Sequence, residues 1–282
     1  HPCDKESLQG AMDAHHAGLI KAVLIAPEKK LRALAAQSNI DISAATVIDV
    51  PHSHAAADMA AQMAADKKLE ALMKGSLHTD ELIHAVVMQA GLRTGRRMSH
   101  VFRCQVPMYP KPLFITDAAL NIAPSLAEKV DIVQNAIDFA HIMGLEEPKV
   151  AILAAVETVN PSMPSTLDAA ALCKMADRGQ IKGGLLDGPL AFDNAISADA
   201  AKIKHIASPV AGQVDILVAP HIEAGNMMIK QLEILAGASG AGIVLGARVP
   251  IALTSRSDTA MARSASALLV KLVVHHNRKQ ST

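Results

Sequence analysis

A chain of 282 residues, half of them hydrophobic, can bury one large core or two moderate ones. Aromatic residues make up only 2%, with no Trp and one Tyr, so the core must be built from Ala, Val, Ile, Leu and Met, and stacking on nucleic-acid bases is poorly supplied. Lys plus Arg and Asp plus Glu both number 27, so no global basic field points to nucleic acid or an anionic membrane, although a local basic cluster can still serve a phosphorylated small molecule.

In chain order, an Ala-rich amphipathic stretch predicts a helix over 4–17, and β-branched runs predict strands over 22–26 and 46–50. Helices follow over 54–68 and 79–92. The zone 92–112 is basic and Pro-rich, with Arg93, Arg96, Arg97, Arg103 and Lys111 among Pro107, Pro110 and Pro112, and reads as a loop crossing from a first domain into a second. A strand over 113–116, a helix over 125–144 stopped by Gly144 and Pro148, a strand over 150–156 and a helix over 165–179 come next. The chain closes with strands over 215–219, 242–245 and 250–254 and helices over 223–236 and 258–275. This alternation implies an α/β fold with a mainly parallel sheet covered on both faces.

Cys3, Cys104 and Cys173 are scattered and odd in number, which is neither a disulfide framework nor a zinc spacing and suits a reducing, cytoplasmic setting. No apolar run reaches transmembrane length, and no signal peptide precedes the first elements. The chain opens on His1 rather than Met, so a further upstream segment is expected. The thirteen histidines include the local pairs His15/His16, His52/His54 and His275/His276, but none has a third partner at ligand spacing, and no metal site is expected. The glycines Gly237, Gly240 and Gly242 precede a strand, whereas a dinucleotide fingerprint follows one, so that match is rejected.

The most informative segment is residues 249–258, an apolar strand that stops in the polar turn Thr254, Ser255, Arg256, Ser257, Asp258 before a helix begins. Strand ends that feed helix starts are where open α/β sheets place their chemistry. The planar fork of Arg256 suits phosphate and acyl oxygens. A turn that merely caps the last helix is the alternative, since Ser and Asp are favoured N-caps.

Several patterns join this turn: Lys74-Gly-Ser-Leu-His-Thr79, the stretch 115–124 with Thr-Asp-Ala-Ala-Leu-Asn, the strand start at Pro148, Asp187-Gly-Pro-Leu-Ala-Phe-Asp193, and Ala219-Pro-His-Ile-Glu-Ala-Gly-Asn226. In this order and spacing they resemble the phosphate acetyltransferase and phosphate butyryltransferase family over almost the whole chain. The resemblance implies an isocitrate-dehydrogenase-like fold of two α/β domains with an interdomain cleft. The first domain would comprise 1–97 and 245–282 and the second 98–244. It also implies a homodimer, and a strand ahead of the segment that matches His1 to Asp4.

The implied reaction interconverts acyl-CoA plus phosphate and acyl phosphate plus CoA. Its needs are a thiolate, fixed donors for the developing oxyanion, and a phosphate held in line. Coenzyme A and phosphate are substrates, no cofactor is called for, and no catalytic Cys is needed because the thiol belongs to the substrate. Ser255 matches the serine that contacts the CoA thiol or acyl intermediate, and Arg256 the arginine that binds phosphate and the carbonyl oxygen. Acetyl-type members place a proposed general-base aspartate six residues after that arginine, where this chain has Ala262; Asp258 either accepts the thiol proton or caps the last helix. His78 and Thr79 start a helix whose free N–H groups suit phosphate, with Thr79 as a plain N-cap the alternative. Asn226, beside Gly225, is expected to face the cleft, and Arg93 is a candidate clamp for phosphate or the CoA diphosphate.

The leading expectation is a phosphate acetyltransferase, with phosphate butyryltransferase the alternative acyl specificity. A metal- and NAD(P)-dependent decarboxylating dehydrogenase would need an aspartate cluster that is not evident. A non-catalytic module of the same fold is the third reading.

Overall fold

The computed structural model describes residues 1–255 and 258–280. In chain order its elements begin α1 (Lys5–His16), β1 (Val23–Ala26), α2 (Glu28–Ser38), β2 (Thr46–Asp49), α3 (Ser53–Ala65), β3 (Leu72–Met73) and α4 (Thr79–Met88). The middle of the chain forms β4 (Ser99–Gln105), β5 (Leu113–Thr116), α5 (Leu126–Ile142), β6 (Lys149–Leu153), α6 (Pro164–Asp177), β7 (Leu185–Leu190), α7 (Phe192–Ile196), α8 (Ala198–Ile203), β8 (Ile216–Val218) and α9 (Ile222–Leu235). It ends in β9 (Ser239–Leu245), β10 (Ile251–Ala252) and α10 (Ala260–Gln280). The chain divides into two compact α/β units, His1–Arg96 with the segment from Ala241 onward, and Arg97–Gly240.

In the first unit, β1 and β2 pair in parallel, with Val23 opposite Thr46. β10 pairs in parallel with β3 and antiparallel with β9. Helix α1 starts where the Asp4 carboxylate accepts the Ser7 N–H at 2.7 Å, the N-cap bond that satisfies one orphan donor. Its apolar face carries Leu8 and Met12 into a core with Leu24, Ala26 and Leu31, and α10 packs along it.

In the second unit the strand order is β4-β5-β8-β6-β7. β4 is antiparallel to β5, and the remaining neighbours are parallel. Phe114 and Phe139 meet edge to face at 5.8 Å across the β5–α5 layer. A Ser125–Glu128 capping box starts α5.

Several boundaries differ from the sequence expectation. The zone 92–112 is not all loop: it holds the seven-residue strand β4, largely buried. β7 lies in a segment for which no strand was expected, because Gly188-Pro189 breaks the pattern; Pro is tolerated there since β7 is an edge strand. β6 ends at Leu153 and not at 156. The helix expected over 79–92 stops at Met88 and is followed by a separate 3-10 turn, Ala90–Leu92. The last helix begins at Ala260, two residues later than expected, and runs to Gln280.

Candidate functional site

The candidate residues fall into two groups, one in each unit. In the first, β10 delivers the chain to a turn in which Thr254 is buried and Ser255 exposed. The Ser255 N–H donates to Asp258 Oδ2 at 2.8 Å, and the Asp258 N–H donates back to the Ser255 carbonyl at 3.2 Å. Arg256 and Ser257 lie outside the described residues.

The cap of α10 is neither Ser255 nor Asp258. The Ala262 N–H donates to Thr259 Oγ1 at 3.2 Å, so Thr259 performs that role and Asp258 closes the turn on Ser255 instead.

Two buried cations hold this turn from within the unit. Lys74 is 3% exposed, and its Nζ donates to the Thr254 carbonyl at 3.3 Å and to the Gly75 carbonyl at 3.2 Å. Arg263 is fully buried; one terminal nitrogen donates to Thr254 Oγ1 and the other to the Ser255 carbonyl, each at 2.9 Å. Sequence reasoning quoted Lys74 without giving it a role and passed over Arg263. The available signal was a cation in the opening turn of a helix, where acids are preferred.

His78, not Thr79, occupies the N-cap position of α4; its backbone is extended and Thr79 is the first helical residue. The N-cap alternative for Thr79 is therefore corrected by one residue. Asp80 and Glu81 fill the first turn, complementing the helix dipole. The Glu81 carboxyl is held below the usual range chiefly by the Ser53 hydroxyl, with smaller contributions from His54 and His78.

Part of the basic zone is engaged within the protein. The exposed Arg93 folds back so that its Nε donates to the Val87 carbonyl at 2.7 Å. In the second unit Arg97 Nε donates to Asn121 Oδ1 at 2.8 Å, and its guanidinium pairs with Glu128 at 3.1 Å. Lys111 pairs with Asp215 at 2.6 Å.

The second group lies where β5 ends. Asp117 is buried, and its carboxylate accepts N–H groups from Ala119 at 2.8 Å, Leu120 at 3.0 Å and His100 at 3.2 Å. Asn121, also buried, bonds the same carboxylate and donates to the Met98 carbonyl at 2.9 Å. This knot fixes the backbone against which α9 lies. Asn226 sits on α9 and its Nδ2 donates to the Ala118 carbonyl at 3.2 Å. At Gly225 a β-carbon would stand 2.4 Å from the Asp117 carbonyl oxygen and 3.1 Å from Ala118 Cα, so the close approach requires glycine.

The other candidate chemistries find little material. Among the described residues no group of three or more His, Cys, Asp or Glu could hold a metal ion. Several histidines serve the backbone: the rings of His52 and His221 accept the N–H of Ala55 and Ala224 at helix starts. Burial pushes the Cys104 and Cys173 thiols up to about 12, leaving both protonated and poorly nucleophilic at neutral pH. Among the described residues no helix is long and apolar enough to cross a membrane.

The family model described as Phosphate acetyl/butaryl transferase matches residues 52–269, well over half of the chain. The chain belongs to that family. It is 58% identical over 279 residues to a phosphate acetyltransferase of Rhizobium meliloti, spanning 99% of this chain and 88% of that protein. A phosphate butyryltransferase of Clostridium acetobutylicum is 41% identical over 271 residues, with 96% and 90% covered. Among solved structures, a branched-chain phosphotransacylase from Enterococcus faecalis V583 superposes with a TM-score of 0.77 at 30% identity, covering 91% of this chain and 99% of that one.

Proposed function

We propose that the protein is a phosphate acetyltransferase that moves an acetyl group reversibly between coenzyme A and phosphate. The observation that carries this reading is the 58% identity to a phosphate acetyltransferase over nearly the full chain, against 41% to a phosphate butyryltransferase. A phosphate oxygen attacks the thioester carbonyl carbon, the C–S bond breaks, and the CoA thiolate leaves and takes up a proton; the products are acetyl phosphate and CoA. In reverse, the CoA thiol yields its proton and the sulfur attacks the acetyl carbonyl.

Ser255 is assigned to the thiol and acyl group, and Arg256 to phosphate and the developing oxyanion. Asp258 is assigned the thiol proton, in addition to closing the turn on Ser255. His78 and Thr79, at the start of α4, Arg93, and Asn226 on α9 are assigned to substrate binding. No cofactor enters, since coenzyme A and phosphate are both substrates. The finer architecture we infer is isocitrate-dehydrogenase-like, supported by a chain that leaves its first unit, builds the second and returns. A cytoplasmic homodimer completes the reading on family resemblance.

The test is phosphate-dependent release of thiol from acetyl-, propionyl- and butyryl-CoA. Acetyl-CoA is expected to give the highest kcat/KM, each added methylene costing about 1–3 kcal/mol. Arg256→Ala is expected to slow turnover ~10²–10³-fold in a folded protein, and Lys to restore little because a point charge lacks the two-pronged donor geometry. A preference for butyryl-CoA would shift the assignment to phosphate butyryltransferase. Inactivity toward all three would leave a non-catalytic member of the family.

A further inference from the structure

Arg263 runs against three rules of stability at once. It lies in the opening turn of α10, where the helix dipole disfavours a cation. It is fully buried, yet both hydrogen-bond partners are neutral oxygens, and no carboxylate pairs with it among the described residues. Its Nε is buried without a partner among the described residues. The fold also makes room for it: at Gly10 of α1 a β-carbon would stand 2.7 Å from Arg263 Cβ and 3.1 Å from its Cδ, so only glycine lets α1 approach.

Among the described residues, both hydrogen bonds of this side chain go to one place. The guanidinium grips the Thr254 hydroxyl and the Ser255 carbonyl, while Lys74 Nζ, on the strand-end side, grips the Thr254 carbonyl. Two cations of low exposure thus fasten two consecutive residues of the turn that carries Ser255.

We propose that Arg263 is a positioning residue for acyl transfer: its two-pronged grip fixes the Thr254–Ser255 backbone, and its charge, which no carboxylate among the described residues neutralises, stands behind a turn at which substrate anions gather. The inference rests on the acetyltransferase reading. Phosphate, the oxyanion and the departing thiolate all add negative charge, and a fixed cation in a low-dielectric surrounding acts on them more strongly than one in water. The charge needs no contact with substrate to act, and the fork explains why the position carries Arg rather than a methylene chain of equal volume.

Arg263→Met is the informative variant, because it keeps the buried volume and removes the charge and both donors. Replacing a buried cation by a well-packed apolar side chain is often neutral or stabilising, so the melting temperature is expected to hold or rise. Turnover is expected to fall roughly 10–100-fold, mostly in kcat, as it does when a catalytic group is misplaced or a fixed donor field is lost. The acid limb of the pH–rate profile for the reverse reaction, from acetyl phosphate and CoA, is expected to move to higher pH, because the thiolate loses a nearby positive charge. Arg263→Lys is expected to recover the pH profile with only part of kcat, since it restores the charge without the fork.

Thr254→Val supplies a second route if the Met variant does not fold, for it removes one grip and leaves the arginine in place. It is expected to lower kcat without moving the pH limb. Wild-type kcat and pH profile in a folded Arg263→Met protein, with active wild type alongside, would overturn the clamp and leave the acetyltransferase reading intact; so would wild-type kcat in Thr254→Val. If wild type itself turns over no acyl-CoA, the activity reading falls and the clamp falls with it.

Discussion

Gly225→Ala measures how tightly the fold sets the position of Asn226. The added β-carbon would lie 2.4 Å from the Asp117 carbonyl oxygen, whereas such contacts are not found below 3.0 Å, so something must move by at least about 0.6 Å. The Asp117 side is poorly able to yield, because its carboxylate is tied to three backbone N–H groups and to Asn121. Helix α9 is therefore the part that shifts, taking Asn226 away from the Ala118 carbonyl, to which it now donates at 3.2 Å. Two effects compete in stability. Alanine in a helix interior is better than glycine by about 1 kcal/mol. Overpacking costs about 1–3 kcal/mol. The net expectation is a loss of up to about 2 kcal/mol, or a fall in Tm of up to about 8 °C at the 2–4 °C per kcal/mol typical of this chain size. Displacement of Asn226 by a sizeable fraction of an ångström is expected to reduce kcat/KM about tenfold, since 1 Å misplacements can cost ~10². Thermal unfolding by circular dichroism and the thiol-release assay read the two quantities. Gly95→Ala is the matched control, because a β-carbon there meets nothing within 4 Å; it should be neutral within about 0.5 kcal/mol. A Gly225→Ala protein with unchanged Tm and full activity would show that the contact with Asp117 does not set the placement of α9.

Turnover should survive prolonged EDTA treatment, since the proposed chemistry uses a substrate thiol and protein donors; loss restored by Mg²⁺ would favour the dehydrogenase-like alternative. Stability should fall on the alkaline side. Burial raises the Cys104 and Cys173 thiols from an ordinary value of 9.0 to about 12, so the unfolded chain releases those protons first, and the stability present below pH 9 drains away as pH rises toward 12. Melting temperatures from pH 8 to 11 check this, and Cys104→Ala with Cys173→Ala should flatten the slope; an unchanged slope would refute it. The same burial should keep both thiols from reacting with a disulfide reagent in the native protein at pH 8.

The elements that the sequence made legible are those whose signal is local. The helix over 4–17, the 46-onward strand and the run that became β5 all follow from neighbouring residues, and the structure returns them within one or two positions. β4 was not legible because Ser99 and His100 look like surface residues. They are buried because distant groups satisfy them: Asn135 on α5 donates to Ser99 Oγ at 2.9 Å, and the His100 backbone bonds Asp117 and Thr116. No window of sequence around residue 99 contains those partners. β7 was hidden for the opposite reason, since its Gly-Pro pair is a genuine local break signal that an edge strand tolerates.

The turn before α10 shows the same limit acting on function. Ser255, Ser257, Asp258 and Thr259 are all good N-cap types, and residue type alone cannot say which one caps. The described bonds give the role to Thr259, with Ala262 as its donor. Among the described bonds, therefore, Ser255 and Asp258 do not cap α10 but close the turn on each other. What remains to be explained is why the backbone at Thr254 and Ser255 is gripped by Lys74 and Arg263, at the cost of burying a guanidinium with no carboxylate partner among the described residues. A helix start needs no such arrangement. Under the proposed assignment, a turn that must hold its shape while phosphate arrives and a thiolate departs does, because each 1.36 kcal/mol lost from the transition state is about a tenfold loss in rate.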